Sequence, residues 1–192
     1  DELGLIRLSD DTEPLKYCRH PLVFLVEAAD DICYQMMDIE DAFKLKLLTL
    51  DETKGLMMPF VKEEQRSRVK ETFNLVTDNN EQIAYLRSKV IGILIDECAE
   101  AFVMHEEEIL NGTFTGSLIK HTSPRCKEAY AHCSEVAVGK IYRSRDVLDI
   151  ELAGFRIINT LIELMIDAVN NPDRAYSRLL IDRVSEQYDM HA

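Results

Sequence analysis

Glycine and proline are scarce in this 192-residue sequence. It contains seven glycines and five prolines, fewer than the turns of many β-rich folds require. Their scarcity disfavours a sheet protein with closely spaced hairpins. Hydrophobic residues make up 46% of the chain and charged residues 30%. This balance is typical of a globular protein with a buried core and excludes a largely disordered chain.

Long apolar segments are also absent. The apolar runs are short, as at residues 90–95, and none approaches the ~20 residues that span a bilayer. The sequence begins with the acidic residues Asp1 and Glu2 and does not open on the apolar stretch of a secretion signal. We therefore expect a cytoplasmic protein without a membrane partner.

Basic residues are outnumbered by acidic ones. The chain has 22 lysines and arginines against 35 aspartates and glutamates, a net charge of −13. A surface with this excess of negative charge repels the phosphates of nucleic acids and of anionic lipids. Nucleic acid is therefore not an expected partner.

The cysteines lack any metal-binding or redox spacing. Their number is odd and no C-x-x-C pair occurs; they are Cys18, Cys33, Cys98, Cys126 and Cys133. This pattern favours buried, reduced thiols and argues against a zinc site.

The spacing of apolar residues predicts an all-α fold, arranged as one helical unit over residues 1–192. The predicted helices cover residues 22–46, 61–76, 79–110, 124–138, 146–169 and 173–188. In the first of them the residues expected to face the core are Leu22, Leu25, Ala29, Ile32, Met36 and Phe43. Residues 47–59 break the helical period and are predicted to be a connection, whereas residues 111–116 form a turn-rich stop.

The first predicted helix carries an acidic stripe that contains a tyrosine. On a helical wheel its members fall within an arc of about 80°; they are Glu27, Asp30, Tyr34, Asp38 and Asp41. A solvated face of an amphipathic helix would explain such a stripe. However, most of the remaining circumference is apolar, as in a buried helix, and like charges on one face repel each other unless they are neutralised. A metal ion is one partner that suits several carboxylates.

Three stretches of the sequence resemble the deoxyguanosine triphosphate triphosphohydrolases, which belong to the HD superfamily of metal-dependent phosphohydrolases. The most specific stretch reads Glu27-Ala-Ala-Asp-Asp-Ile-x-Tyr34, followed by Asp38 and Glu40-Asp41. The second is Asn111-Gly-Thr-Phe114, and the third runs from Val147 through Glu151-Leu-Ala-Gly-Phe-Arg156. The likeness therefore extends along most of the chain.

The resemblance implies an all-α, HD-type fold and the hydrolysis of a deoxynucleoside triphosphate to a deoxynucleoside and tripolyphosphate. By position in the motif, Asp30 resembles the last ligand of a divalent metal, Mg²⁺ or Mn²⁺. Tyr34 would pack against the deoxyribose where a 2′-hydroxyl would clash, and Asp38 would accept a hydrogen bond from the 3′-hydroxyl. Members of this family commonly assemble as hexamers, so the resemblance also implies a homo-oligomer.

Weaker likenesses point to three further substrate-binding residues. Glu151 and Tyr142 match positions that line the base pocket in some members, and Arg178 resembles an arginine that reaches phosphate. Each of these residues also has a simpler interpretation. Glu151 would be a structural glutamate on a helix, Tyr142 an aromatic residue of a loop, and Arg178 a surface arginine.

Several residues that the family uses are missing. No His-Asp dipeptide occurs in the sequence, whereas the family holds its metal with a His, a His-Asp pair and the final Asp. One carboxylate cannot hold a catalytic metal. We therefore interpret the chain as the C-terminal half of a triphosphohydrolase, inactive by itself and with no catalytic residue of its own. A regulatory or oligomerisation module of a nucleotide-binding HD protein is the alternative; a di-metal helix bundle is excluded because no Glu-x-x-His occurs.

Overall fold

The fold is built from α-helices. The computed structural model describes residues 4–8 and 16–184, and within them the ordered segments are helical apart from one antiparallel bridge between Arg7 and Tyr17. The α-helices are α1 (Pro21–Lys44), α2 (Leu50–Met57), α3 (Glu63–Leu75), α4 (Asn79–Met104), α5 (Glu106–Leu110), α6 (Pro124–Val136), α7 (Arg145–Asn170) and α8 (Ala175–Ile181). The all-α prediction is confirmed. The chain divides into two compact units, Asp1–Ile141 and Tyr142–Ala192, a finer division than the single helical unit predicted from the sequence.

The core of the first unit lies between α1 and α4, with α2 and α6 packed beside them. The fully buried side chains of α1 and α4 include Ile32, Met36, Ile39, Ile83, Leu86 and Leu94. Each such side chain contributes roughly 1.5–3 kcal/mol when it leaves water. This packing fixes α1, the helix that carries the acidic stripe.

The predicted core face of α1 is partly wrong. Ile32 and Met36 are buried as expected, but Leu22 and Leu25 are 58% and 37% exposed, and Ala29 is also exposed. Phe24 and Ala28 face the core instead. Apolar residues occupy two sides of this helix, so periodicity alone does not tell which side covers the core.

Residues 47–59 are not the connection that the sequence predicts. They contain α2, and a 3₁₀ turn at Met58–Phe60 follows it directly. A capping box begins α2: the Thr49 hydroxyl accepts from the Glu52 amide at 3.2 Å, while the Thr49 amide donates to the Glu52 carboxylate at 2.8 Å. The Thr-x-x-Glu signature of this cap is present in the sequence and could have found the helix.

The predicted helix over residues 79–110 is interrupted near its end. Asp78 caps α4 by accepting from the Glu81 amide at 2.9 Å. The helical backbone breaks at His105 and resumes as α5. The exposed, charged helix α3 and the turn at residues 111–116 are confirmed.

The sixth helix, α6, starts at Pro124 as predicted. It passes after Val136 into a π-helical turn, Ala137–Ile141, which ends the first unit.

The second unit contains α7 and α8, which contact each other. α7 matches the predicted helix at residues 146–169 closely, whereas α8 begins two residues later than predicted. Residues 185–188 of the last predicted helix lie outside the described residues. In the described part of the chain, no helix is long and apolar enough to cross a membrane.

The five cysteines are free, as predicted. Four are buried, but Cys33 is exposed on α1, which corrects the expectation that all five are buried. Burial raises the pKa of Cys98 to about 11 and that of Cys133 to about 12. These two thiols therefore stay protonated at neutral pH.

Candidate functional site

The acidic stripe of α1 lies on an accessible side of the helix. Asp30 and Asp41 are exposed, Tyr34 is 64% exposed, and Glu27 and Asp38 are half-buried. The acidic stripe is therefore on a face of α1 away from the core, and the Asp30 and Asp41 side chains are accessible to solvent.

Asp30 and Tyr34 lie together in an open groove between α1 and α6. The groove has a volume of about 230 Å³, and its other lining residues are Asp31, Gln35 and Tyr130. One helical turn, about 6 Å along the axis, separates Asp30 from Tyr34. The structure thus brings together two of the three predicted α1 site residues in one groove, while Asp38 lies one turn further along the helix and is not part of its lining.

Two side chains of α6 hold this part of α1 in place. The Tyr130 hydroxyl donates to the Asp31 carbonyl oxygen at 3.0 Å, and the Ser134 hydroxyl donates to Gln35 Oε1 at 2.8 Å. Burial raises the pKa of Tyr130, so its hydroxyl remains a donor at neutral pH. Sequence reasoning missed both α6 residues, because no local signal links positions 99 residues apart.

Two of the four carboxylates of the stripe pair with basic side chains. Glu27 pairs with Arg19, and Asp41 accepts from Lys44 at 3.3 Å. Asp30 makes no such pair with the described residues. The pKa of the neighbouring Asp31 is raised, mainly because the side chain is partly buried. The negative charges of Glu27 and Asp30 raise this pKa further, whereas the positive charge of Lys120 lowers it. The negative charge around this groove therefore favours the binding of a cation.

The chemistry of Asp30 suits one ligand of a divalent metal, because hard cations prefer carboxylate oxygens. A complete site is not present: no group of three His, Cys, Asp or Glu side chains could hold a metal within residues 4–8 and 16–184. The described residues alone therefore do not form a metal centre, and a resident metal would need ligands from elsewhere.

The neighbouring motif residue Glu40 has a structural role. It is 5% exposed, and its carboxylate pairs with Arg87 of α4 and with Lys44 at 3.3 Å. A buried carboxylate needs such partners to offset its desolvation. Glu40 therefore ties α1 to α4 just beyond the groove.

The Asn111–Phe114 motif is also structural. Phe114 is buried, and its ring lies 5.1 Å from that of Phe24 and 4.6 Å from that of His121. Gly112 provides the left-handed backbone, with φ of 70°, that reverses the chain here. This turn packs against the N-terminal part of α1, before the groove.

The remaining predicted site residues belong to the second unit. Tyr142 is half-buried, Glu151 is exposed on α7, and Arg178 is exposed on α8, where it donates to the Asp173 carbonyl at 3.4 Å. The groove on α1 is lined by side chains of the first unit. The roles of these three residues stay predictions.

These features define a class: an all-α protein with a carboxylate- and tyrosine-bearing groove beside one long helix. No family model matches the sequence. Curated relatives do match it. A deoxyguanosinetriphosphate triphosphohydrolase-like protein of Pseudomonas aeruginosa is 29% identical over 170 residues, which cover 87% of this chain and 36% of the relative.

Two more relatives carry the same kind of name. A deoxyguanosinetriphosphate triphosphohydrolase-like protein of Synechocystis is 32% identical over 170 residues. The matched region covers 85% of this chain and 36% of that relative. The deoxyguanosinetriphosphate triphosphohydrolase of Yersinia enterocolitica is 25% identical, with coverages of 90% and 36%. The chain spans about a third of the length of these relatives. The resemblance seen in the sequence is confirmed: the chain is related to proteins named deoxyguanosinetriphosphate triphosphohydrolase or deoxyguanosinetriphosphate triphosphohydrolase-like.

Proposed function

We propose that this chain supplies the sugar-binding face and one metal ligand of a deoxynucleoside triphosphate triphosphohydrolase, with dGTP as the substrate. The reaction converts the triphosphate and water into a deoxynucleoside and tripolyphosphate. The observation that carries this proposal is the shared groove of Asp30 and Tyr34, the two most informative positions of the motif that resembles the family named by the relatives.

Each α1 residue has a distinct role in the proposal. Asp30, exposed and without a cationic partner among the described residues, contributes its carboxylate to Mg²⁺ or Mn²⁺. The exposed ring of Tyr34 lies one turn away and covers the face of the deoxyribose that a 2′-hydroxyl would occupy. Asp38, a further turn along, accepts a hydrogen bond from the 3′-hydroxyl. Three fixed points on a rigid helix orient the sugar and the α-phosphate for in-line attack.

The bound divalent cation would polarise the phosphoryl group and lower the pKa of a coordinated water. The His and His-Asp ligands that the family pattern requires are proposed to come from polypeptide outside this chain. We accordingly propose that the chain alone is inactive and that the complete enzyme is a cytoplasmic homo-oligomer, a hexamer by resemblance.

From the family resemblance we also propose substrate-binding roles for three residues of the second unit. The Glu151 carboxylate would accept from the donor edge of guanine, and Tyr142 would lie against the base. Arg178 would reach a phosphate oxygen, which suits the fork of N–H donors of a guanidinium group.

The sugar-binding role of Tyr34 is testable in a complete protein that contains this sequence. We expect Tyr34→Ala to reduce the preference for dGTP over GTP at least tenfold while metal affinity stays within about twofold, because the ring contacts sugar rather than metal. Product analysis by anion-exchange chromatography, together with kcat/KM for both nucleotides, measures this.

The matched control is Tyr176→Ala, which truncates an equally exposed tyrosine (61%) on α8 and should leave selectivity unchanged. Equal losses for dGTP and GTP in Tyr34→Ala would contradict the sugar-binding role. Nucleotide-driven assembly without any release of tripolyphosphate would instead support the regulatory alternative.

A further inference from the structure

A buried glutamine in the groove carries an amide group without a partner. Gln35 of α1 is 7% exposed and lines the groove beside Asp30 and Tyr34. Its Oε1 atom accepts from the Ser134 hydroxyl at 2.8 Å, whereas its Nε2 atom is buried and makes no hydrogen bond with the described residues. Buried donors nearly always have a partner, because an unpaired donor has lost its bonds to water without replacement. The two N–H groups of Gln35 therefore point to a partner that enters the groove from outside.

The surroundings of Gln35 let its carboxamide turn. The Ser134 hydroxyl also lies 3.1 Å from a second acceptor, the Tyr130 carbonyl oxygen. A hydroxyl carries one hydrogen, and this hydrogen can pass from one acceptor to the other. The last torsion of a glutamine side chain is broad, so the amide can turn towards the groove at little cost while Ser134 keeps the Tyr130 carbonyl as its acceptor.

The end of the Gln35 side chain lies near the turn of α1 that carries the proposed site. Long helical side chains lean towards the N-terminus of their helix and cover the preceding turn, and Gln35 accordingly shares the groove with Asp30 and Tyr34. In the proposed function, Asp30 holds the metal with the α-phosphate and Tyr34 covers the sugar. The substrate atom that joins the α-phosphate to the sugar is the 5′-oxygen.

We propose that Gln35 turns towards the bound substrate and donates a hydrogen bond from Nε2 to the 5′-oxygen of the deoxynucleoside triphosphate. This inference rests on the proposed function. In the reaction, the oxygen of water bonds to the α-phosphorus while the bond between that phosphorus and the 5′-oxygen breaks. The 5′-oxygen keeps the electron pair and takes up a proton released by the water, which gives the 5′-hydroxyl of the deoxynucleoside. Gln35 donates a hydrogen bond and transfers no proton.

A donor at the 5′-oxygen acts mainly in the transition state. Negative charge develops on this atom as its bond to phosphorus breaks, so the hydrogen bond is stronger there than in the bound substrate. The alternative partner of Gln35 is an ordered water molecule in the groove. A water-filled groove predicts no change in the reaction rate when the amide is removed.

The test replaces Gln35 with methionine, which has a similar length and no N–H donor. In a complete protein that contains this sequence, we expect Gln35→Met to lower kcat for dGTP at least tenfold and to change KM by less than about twofold. Tripolyphosphate release, measured by anion-exchange chromatography, gives both constants. The melting temperature of the same protein should stay within about 1 °C of the parent value, because the removed donor has no partner in the fold.

Gln82 of α4 provides the matched control, since it is also 7% exposed but has partners for both ends of its amide. Its Nε2 atom donates to the carbonyl oxygens of Phe73, at 3.0 Å, and Val76, and its Oε1 atom accepts from Lys54 at 2.6 Å. Gln82→Met should lower the melting temperature by at least about 3 °C, because these partners lose their bonds. The kcat of the folded Gln82→Met enzyme should stay within about twofold of the parent value.

The outcomes separate this inference from the function on which it rests. A parent protein that releases no tripolyphosphate from dGTP contradicts the proposed function and the inference with it. A parent that hydrolyses dGTP as fast as its Gln35→Met variant contradicts the inference alone. A variant that raises KM at constant kcat, or that loses kcat together with as much melting temperature as Gln82→Met, would also overturn the inference.

Discussion

Gly112 is the position where backbone conformation and packing restrict the sequence most tightly. Its φ of 70° is left-handed, and a Cβ atom here would lie 2.3 Å from the Cys18 sulfur and 3.0 Å from the Cys18 Cβ. The Cys18 thiol also donates to the Gly112 carbonyl at 3.7 Å. Any side chain at this position must therefore displace Cys18 in the segment that precedes α1.

We expect Gly112→Ala to lower the free energy of unfolding by about 3 kcal/mol, through backbone strain and overpacking together. Urea titration followed by circular dichroism measures the change. Gly116→Ala is the control: its φ is 88°, but the nearest atoms to a new Cβ are side-chain ends at 3.9 Å. It should lose only the strain component, about 1 kcal/mol. Equal losses in both variants would contradict the role given to Cys18.

Glu97 is a partly buried carboxylate whose ionised form the fold stabilises. Burial by itself would raise the pKa of Glu97, but hydrogen bonds from the Ser123 amide and hydroxyl, at 2.7 and 2.8 Å, and the charge of Arg125 hold the net pKa below its ordinary 4.5. Since the lowered pKa belongs to the folded state, the stabilisation is present above pH 4.5. It is lost as the pH falls through the folded-state pKa.

We expect Glu97→Gln to cost about 2 kcal/mol at pH 7, because hydrogen bonds to a charged group are lost. The difference from the parent chain should shrink as the pH falls below 4.5. The free energy of unfolding between pH 3 and pH 7 is the measurement, and Glu100→Gln, an exposed neighbour on α4, is the control. A deficit that stays constant over this range would contradict the assigned protonation state.

Among the helices, α2 depends most clearly on a local signal. Its eight residues are too few for a stable isolated helix, so its start is fixed by the Thr49–Glu52 capping box. Contact with Lys140 and hydrogen bonds with Thr49 lower the pKa of Glu52 to about 2. The acceptor of the box therefore stays ionised through most of the acid range.

Thr49→Ala should lower the free energy of unfolding by about 1 kcal/mol, the usual cost of an N-cap. Thr115→Ala, at an exposed position in the turn before α6, should change it by less than about 0.5 kcal/mol. Denaturant titrations of the two variants provide the comparison. A Thr49→Ala variant as stable as the parent would show that tertiary packing alone positions α2.

The sequence predicts elements with strong periodicity well and others poorly, for identifiable reasons. α1, α3, α6 and α7 begin and end close to the predicted residues, because apolar spacing and first-turn prolines define them. The prediction of the core face of α1 was partly wrong, because apolar residues also lie on the exposed side of this helix. The Asp30–Tyr34 pair could be predicted from the motif, whereas Tyr130 and Ser134 could not, because only the packing of α6 on α1 brings them near.

For the molecule as a whole, the proposed site lies on a helix that is packed on its core side, and the described residues hold no group of three metal ligands. Contacts from α4 and α6, including the Arg87–Glu40 ion pair and the Tyr130–Asp31 hydrogen bond, fix α1 in the fold, so packing sets the positions of Asp30 and Tyr34. Preorganisation of this kind lowers the cost of binding.

The binding of Mn²⁺, followed by the loss of its free electron paramagnetic resonance signal, tests this account most directly. The account predicts only weak, non-stoichiometric binding to this chain alone and one tight site in a complete protein that contains this sequence. Asp30→Asn should abolish that site, whereas Asp41→Asn, which alters a carboxylate already paired with Lys44, should keep it. Tight stoichiometric binding by the chain alone, or a tight site that survives Asp30→Asn, would contradict the account.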